Sequence, residues 1–258
     1  MIVRWTFGQT PARPLSPQGI DMLETSIKFA QAILDGLSGS VEYIVCHNNL
    51  NASTRRQVDL MAKDLGVQSL DVTGNLPSNL VNVSEKNGWW KYCPPRIDEN
   101  TYEIIMDNDV VIWNRPESLV AGVRENAFVT LTDAGGQFYG DYQDLIFAIA
   151  PNLCLNAGIL GLPRNVVIDT SKVNGKQLSD FFHSEQGFVA MMYANYLGRK
   201  RQIPLTEVQQ LNINHLRPKE LILKYDGGHF CGCTYNHFEY WEATYSNVIK
   251  NLYTERYS

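Results

Sequence analysis

Two aspartates separated by one residue are the first candidates for chemistry in this sequence. Asp107 and Asp109 follow an apolar run that ends at Met106, and a second apolar run begins at Val110. An Asp-Asn-Asp tripeptide is also good turn chemistry on an ordinary surface. Between two apolar runs, however, the carboxylates would stand at the end of a buried strand, where two like charges are costly to desolvate without a cation. The segment therefore predicts a Mg²⁺ or Mn²⁺ site, with phosphate oxygens in the remaining coordination positions.

A histidine among glycines and aromatic residues, His229, is a candidate third ligand. One alternative is a hydrogen-bonded structural histidine. Another is a zinc site made of His229, Cys231, Cys233 and His237, but their spacing is tighter than the usual gap between paired ligands of structural zinc sites. A single imidazole joining the two carboxylates would leave coordination positions open, as a substrate-binding metal requires.

Two further segments could approach a ligand. Small residues in the segment 156–161 let backbone come close to a ligand, although a strand with a tight bend would have the same composition. Ser184 is expected to cap a helix, and Glu185 would stabilise the positive N-terminal end of that helix. This structural explanation accounts for the glutamate and leaves Gln186 unexplained.

The first part of the chain alternates strands and helices, which must position these residues. Strands are predicted over 2–7, 41–46 and 67–72, and a fourth ends at Met106. A helix should begin after Ser16 and extend to Leu37, and another should begin at Ser53 and stop at Gly66. This order indicates a parallel sheet covered by helices, and ligands of such sheets bind beyond the carboxyl ends of the strands. The second half predicts a turn at 135–136, a helix over 184–197 and a late strand over 221–225.

Composition limits the class of protein. With 258 residues, 44% of them hydrophobic, the chain can bury a sizeable core, which excludes disordered, collagenous and coiled-coil classes. The 22 basic and 27 acidic residues give a net charge of −5, so electrostatic binding to nucleic acid is not expected. The cysteines number five and are scattered, which is typical of reduced thiols. The longest apolar run, 145–150, is far shorter than the ~20 residues of a membrane span. We expect a soluble, cytoplasmic protein with no transmembrane segment.

In chain order, the four segments resemble the motifs of family 8 glycosyltransferases, the retaining galactosyltransferase and glycogenin-like group with the GT-A fold. The matching segments are Asp107-Asn108-Asp109, Asn156-Ala157-Gly158, Glu185-Gln186 and His229-Phe230-Cys231-Gly232. The resemblance extends from about residue 86 to residue 233. It implies an α/β GT-A fold with a mostly parallel central sheet flanked by helices. It also implies a single domain, in which residues 1–112 form a nucleotide-binding half ending in Asp-x-Asp and residues 113–258 form a sugar and acceptor half.

The resemblance implies roles for particular residues. Asp107, Asp109 and His229 would hold Mn²⁺ or Mg²⁺. Gln186 would lie near the anomeric carbon, and Glu185, an aspartate in the family, would bind a sugar hydroxyl, the two forming the catalytic pair. The donor-binding residues would be Thr6, Phe7, Gly8, Lys91, Asn108, Asn156, Ala157, Gly158 and Gly232, with Arg96 as a second choice to Lys91.

Two positions depart from the family pattern. The first strand lacks the acidic residue and tyrosine that hold the base in the family, and has Thr6-Phe7-Gly8 instead. A Lys-Pro-Trp that grips the diphosphate is replaced by residues 235–237, which are Tyr-Asn-His. Neutralisation of the diphosphate would then depend on the metal, Lys91 and Arg96.

The function implied is transfer of a sugar from a nucleotide-sugar donor, a UDP-sugar being favoured, to a hydroxyl of a carbohydrate or other acceptor. Retention of configuration is expected, since an inverting route needs a carboxylate base and only Glu185 suggests itself.

Three alternatives remain open at this point. A haloacid-dehalogenase-type phosphatase would use Asp107 as nucleophile and Asp109 as acid, but its motif normally lies in the first strand. A sugar-nucleotide pyrophosphorylase should have a Gly-rich basic loop after the first strand. A catalytically weak nucleotide-sugar-binding protein of the same fold would keep the pocket without turnover.

Overall fold

The structure is a computed structural model that describes residues 1–9, 14–75, 78–80, 88–173, 178, 183–211, 217–231 and 241–257. Within these ranges the strands are β1 (Ile2–Gly8), β2 (Glu42–Asn48), β3 (Gln68–Asp71), β4 (Glu103–Met106), β5 (Val110–Ile112), β6 (Phe128–Thr132), β7 (Leu155–Leu162), β8 (Lys200–Ile203), β9 (Val208–Gln210) and β10 (Gly227–His229). The helices are α1 (Pro17–Leu34), α2 (Ala52–Asp64), α3 (Glu117–Arg124), α4 (Gln143–Ile149), α5 (Ser184–Asn195), α6 (Lys219–Ile222) and α7 (Ser246–Tyr257). A 3₁₀ turn, Gly88–Tyr92, precedes β4.

A seven-stranded sheet in the order β3-β2-β1-β4-β7-β6-β8 forms the centre of the fold. The pairs β1/β2, β2/β3, β1/β4 and β6/β8 are parallel, whereas β7 runs antiparallel to both of its neighbours, β4 and β6. The predicted α/β architecture with a mostly parallel sheet is therefore confirmed.

Both faces of the sheet are covered, so its central strands are buried throughout. Ile104 and Met106 of β4 pack into one hydrophobic cluster with α1, while Ile105 between them packs into a second cluster with α5. Side chains that alternate along a strand reach opposite faces, and both faces here meet apolar partners. This explains why β4 is apolar from Ile104 to Met106, directly before the aspartates.

A second sheet of three strands, β5-β10-β9, brings the far end of the chain beside the aspartates. β5 begins directly after Asp109, and it pairs antiparallel with β10 so that Val110 lies opposite His229. The backbone N–H of Phe230 donates to the carbonyl of Asp109 over 2.7 Å. A histidine 120 positions later in the sequence is thus aligned with the carboxylates by backbone pairing.

The predicted elements of the first part are confirmed, with shifted ends. β1, β2 and β3 stand where strands were expected, and Ser16 caps α1 by accepting from the N–H of Gly19 at 3.0 Å. α1 ends at Leu34, three residues earlier than predicted. α2 is capped by Asn51, whose Oδ1 accepts from Thr54, and Gly66 follows it in the left-handed region at φ +67°.

The prediction of a strand over 221–225 was wrong. Residues 219–222 form the single helical turn α6 instead. Ile222 is fully buried there, whereas Leu221 and Leu223 are exposed, so the two outer leucines do not take part in a buried strand. The strand of this region, β10, begins two residues later at Gly227. None of the helices in the described ranges is both long enough and apolar enough to cross a membrane.

Candidate functional site

Asp107, Asp109 and His229 converge at the carboxyl end of β4. One ligand atom from each lies within 4.8 Å of the others. Nε2 of His229 is 3.3 Å from Oδ1 of Asp109 and 3.8 Å from Oδ2 of Asp107. The structure therefore brings together the three side chains that were predicted to hold a metal.

Gly158 of β7 makes room for the imidazole. A Cβ at this position would stand 2.6 Å from both Nδ1 and Cε1 of His229, and 2.9 Å from Oδ1 of Asn156. The carbonyl of Gly158 accepts from the backbone N–H of Asp107 at 2.8 Å. Backbone at 158 thus touches both the histidine and the first aspartate, which only a residue without a side chain allows.

Burial and charge interactions together shift the pKa values of Asp107 and His229. Burial raises the pKa of Asp107 to about 6, with Asp109 adding to the rise while Lys91 and His229 oppose it. Burial disfavours the imidazolium of His229, but the neighbouring Cys231 and Asp109 outweigh it and raise the pKa of that histidine well above its usual range. His229 is therefore the group of this cluster that keeps its proton at neutral pH when no metal competes for it.

Two carboxylates and an imidazole suit a divalent cation such as Mn²⁺ or Mg²⁺. The Nε2 nitrogen of His229 faces the carboxylates, as a ligand nitrogen must. Asp109 and His229 are both buried, whereas the Asp107 side chain is 23% exposed. Three ligands leave open positions on the exposed side, so the donor set fits a metal that also binds a substrate oxygen.

Lys91 lies between the candidate metal ligands and the first turn of α5. Its Nζ is 3.0 Å from Oδ1 of Asp107 and 3.4 Å from Oε1 of Glu185. Burial disfavours the charged amine, but the Asp107 and Glu185 carboxylates outweigh it and raise the pKa of Lys91. The second oxygen of Glu185 accepts a hydrogen bond from the hydroxyl of Tyr92, a fully buried residue. Glu185 is thus held on both of its oxygens.

Gln186, the next residue of the same helical turn, contacts the backbone of β7. Its Oε1 accepts from the N–H of Ala157 at 3.4 Å. Its Nε2 donates to the carbonyl of Phe138 at 3.2 Å and reaches Oδ2 of Asp133 at 3.5 Å. Hydrogen bonds at both Oε1 and Nε2 therefore fix the orientation of the Gln186 amide.

Ser184 does not cap α5, contrary to prediction. The residue before it, His183, occupies the N-cap position and makes no side-chain capping bond. The Ser184 hydroxyl instead donates to a carboxylate oxygen of Asp141 at 2.5 Å and accepts from the N–H of the same residue at 3.0 Å. Ser184 therefore ties the start of α5 to the turn before α4, which places Glu185 and Gln186 at the site.

Sequence reasoning missed two polar residues of this region, Asp133 and Tyr92. Asp133 accepts from the side-chain amides of Asn156 at 3.4 Å and Gln186 at 3.5 Å. Its signal is its position directly after β6, at the sheet edge where Asp107 also lies. Nothing in the sequence indicated Tyr92 as a site residue except that it follows Lys91.

Arg96 is not part of the site. The prediction that it could contact the donor in place of Lys91 was therefore wrong. Its guanidinium donates to the carbonyls of Pro163 at 3.0 Å and Val166 at 2.7 Å. Its Nε lies 3.5 Å from Oε2 of Glu103, a fully buried carboxylate that also pairs with Arg4 at 2.7 Å. Arg96 is committed to this structural ion cluster.

The other residues predicted to bind the donor lie at the end of β1, between the two aspartates, or outside the described residues. The side chains of Thr6 and Phe7 are buried in β1, and Gly8 at its end lies against the Trp90 indole, where a Cβ would be 2.6 Å from the ring. Asn108 is buried between the two aspartates. Gly232 lies outside the described residues, as do Cys233 and His237.

The reversed β7 within an otherwise parallel sheet, with the acidic pair after β4, defines the GT-A fold of glycosyltransferases. Solved structures confirm this fold. The galactosyltransferase LgtC, solved with donor and acceptor sugar analogues, aligns over 100% of this chain and 97% of its own at 12% identity and a TM-score of 0.59. WbbM, a bifunctional glycosyltransferase, aligns over 99% of this chain and 51% of its own at 12% identity and a TM-score of 0.54.

A third similar structure is mouse xyloside xylosyltransferase 1, which aligns over 90% of this chain and 98% of its own at 11% identity and a TM-score of 0.50. No protein-family model matches the sequence, and no curated protein matches it either. The resemblance predicted from four short motifs is thus confirmed at the level of the fold.

Proposed function

We propose that this protein is a metal-dependent glycosyltransferase that moves a sugar from a nucleotide-sugar donor to an acceptor hydroxyl with retention of configuration. The observation that supports this most directly is the convergence of Asp107, Asp109 and His229 at the end of β4. The GT-A fold of the chain and its similarity to solved glycosyltransferases support the same conclusion.

The cation-binding end of the site would hold the diphosphate of the donor. Asp107, Asp109 and His229 would hold Mn²⁺ or Mg²⁺, which when bound stabilises the negative charge that develops on the leaving group. Lys91, whose Nζ is 3.0 Å from Oδ1 of Asp107, would supply a positive charge to the same diphosphate. We propose a UDP-sugar as donor and a carbohydrate or other hydroxyl compound as acceptor.

The sugar-binding end would be formed by the first turn of α5 and the backbone of β7. The Gln186 amide oxygen is a neutral group that can stabilise positive charge at the anomeric carbon without a shifted pKa. Glu185 and Asn156 would bind sugar hydroxyls, and the small residues Ala157 and Gly158 let the sugar approach the backbone.

The state of the carboxylates at this end favours retention over inversion. An inverting reaction requires a carboxylate that is available to accept a proton from the acceptor. Glu185 is engaged by Lys91 and Tyr92, and Asp133 is engaged by the amides of Asn156 and Gln186. A retaining reaction needs no such base.

We also propose that the chain acts as one domain, with residues 1–112 as the nucleotide-binding half and residues 113–258 as the sugar and acceptor half. The free thiols of Cys46, Cys93, Cys154 and Cys231 support a reducing compartment, the cytoplasm.

Donor hydrolysis tests this function. The protein is incubated with Mn²⁺ and a panel of UDP- and GDP-sugars, and release of the nucleoside diphosphate is measured with and without EDTA. We expect slow, metal-dependent release even without acceptor, and loss of that release in Asp109→Asn. The matched control is Asp64→Asn, an exposed aspartate of α2.

Other results would point to the alternatives. Release of inorganic phosphate from simple phosphomonoesters, without hydrolysis of any nucleotide sugar, would favour a phosphatase. Tight nucleotide-sugar binding without turnover across a broad acceptor panel would favour a binding protein. Either result would contradict the proposed transferase.

A further inference from the structure

We infer that the sugar end of this site accepts neutral sugars and excludes sugars that carry a carboxylate, such as hexuronates. The inference rests on the proposed function and narrows the class of donor. It follows from the charges that line the sugar end and from the contacts that hold them in place.

Two carboxylates, those of Glu185 and Asp133, lie next to Gln186 at the sugar end. Glu185 lies next to it in α5, with its side chain 13% exposed. Asp133 contacts the Gln186 amide from the β6 side at 3.5 Å. Hydroxyl groups can donate to such carboxylates, so a polyhydroxyl sugar matches them well. A uronate carboxylate offers only acceptors and would meet the like charges of these two groups.

Among the described residues, the cations near the sugar end that could balance a uronate are already engaged by other groups. Lys91 is shared between Asp107 and Glu185, and it also approaches the carbonyl of Ala157 at 3.5 Å. Within the described ranges, no other lysine or arginine contacts Asp107, Asp133 or Glu185. Arg96 donates to backbone carbonyls and pairs with Glu103. Recognition of a carboxylate usually relies on such a guanidinium in bidentate geometry, and the site does not have this one available.

Tyr92 keeps Glu185 at the sugar end. It is fully buried, its hydroxyl donates to the carboxylate, and its ring lies against Trp89 at a centroid distance of 6.3 Å. Glu185 therefore has little freedom to turn away from an incoming carboxylate. Tyr92 acts as a positioning residue for the glutamate that sets the specificity.

The experiment measures Mn²⁺-dependent binding of matched donor pairs by isothermal titration calorimetry. Each pair has one neutral sugar and its C6-carboxylate counterpart: UDP-glucose with UDP-glucuronate, UDP-galactose with UDP-galacturonate, UDP-N-acetylglucosamine with its uronate, and GDP-mannose with GDP-mannuronate. For the pair that binds best, we expect the neutral donor to bind at least tenfold more tightly. A ratio below ten would overturn the inference.

Variants show whether the carboxylates cause this discrimination. Glu185→Gln and Asp133→Asn each remove one negative charge, and each should lower the ratio of neutral to uronate affinity at least threefold, whatever happens to overall affinity. Glu255→Gln, at an exposed position of α7, should leave the ratio unchanged. An unchanged ratio in both site variants would overturn the assignment. If no donor of any pair binds, the proposed function itself fails, which is distinct from a uronate that binds well.

Discussion

Gly158 and His229 are in direct contact across the two sheets of the protein, although 71 positions separate them in the sequence. The hydrogen of Gly158 faces the imidazole, and a methyl group there would stand 2.6 Å from two of the ring atoms. The orientation of the predicted metal ligand therefore depends on a glycine in β7, a residue that holds no metal itself.

Gly158→Ala should weaken metal binding by displacing the imidazole. Loss of a contact that orients a ligand typically lowers metal affinity by about 10- to 100-fold. We expect a loss in this range for Mn²⁺, measured by calorimetry. Gly161→Ala is the matched control in the same strand, because its Cβ would meet Tyr102 and Val129 instead. The control should lose about 1–3 kcal/mol of unfolding free energy from overpacking and keep its Mn²⁺ affinity. Equal Mn²⁺ affinities in Gly158→Ala and wild type would contradict the proposed ligand set.

Mn²⁺ affinity should fall as the pH is lowered, because protons compete for the same ligand atoms. Burial raises the pKa of Asp107 to about 6. For His229 burial acts in the opposite direction, but Cys231 and Asp109 raise its pKa above the usual range. Both groups are thus protonated at low pH and must release their protons to bind metal. Each displaced proton contributes a slope of about one in the logarithm of affinity against pH.

The slope of the logarithm of Mn²⁺ affinity against pH should be about one near pH 7, because His229 then loses one proton on binding metal. The slope should be steeper below pH 6, where Asp107 is also protonated. Calorimetry in buffers of different ionisation enthalpy measures the protons released. In His229→Gln the slope near pH 7 should disappear. A Mn²⁺ affinity that stays constant between pH 5.5 and 8 would show that these two groups do not hold the metal.

Gln186→Ala should reduce turnover much more than it reduces donor binding. In the proposed mechanism the amide stabilises charge that develops during the reaction, and removal of one such group costs roughly 100-fold in rate. We expect a loss of this size in kcat, with Mn²⁺ affinity unchanged. Gln137→Ala is a suitable control, because Gln137 is bonded to Pro151 in the neighbouring loop and does not contact the sugar end. A kcat equal to that of the control would remove Gln186 from the proposed mechanism.

Glu103→Ala should destabilise the fold without directly affecting the proposed metal ligands. Glu103 is fully buried between Arg4 and Arg96, so its loss leaves two guanidinium groups without their shared carboxylate. Breaking a buried ion pair in this way costs about 3–5 kcal/mol of unfolding free energy. Urea unfolding measures the change, with Glu42→Ala, at an exposed position of β2, as control. A loss no greater than that of the control would show that the pairing does not support the fold.

Local sequence determined much of the secondary structure in the first part of the chain. The Ser16 cap and the Pro17 that follows it specify the start of α1, and Gly66 ends α2 because it adopts a positive φ. These signals act over a few residues, so they can be detected without the tertiary structure. The apolar run before Asp107 likewise predicted a buried strand that ends in carboxylates.

Short motifs failed where a side chain has several possible partners. Ser184 has the right type and place for a cap, but Asp141, 43 residues earlier in the chain, binds its hydroxyl instead. Arg96 was predicted near the donor, but Glu103 and the carbonyls after β7 hold it inside the protein. Competition between a local partner and a distant one is decided by which atoms the fold brings within hydrogen-bonding distance.

The sequence by itself determined which residue types are available for a divalent cation and where strands end beside them. Only the tertiary structure decided that His229 meets Asp107 and Asp109, through the pairing of β10 with β5. It also decided that Tyr92 binds Glu185 and that Asp133 binds Gln186. The physical reason is that coordination and charge depend on distances of a few ångströms between residues far apart in the chain, whereas sequence patterns report only neighbours along it.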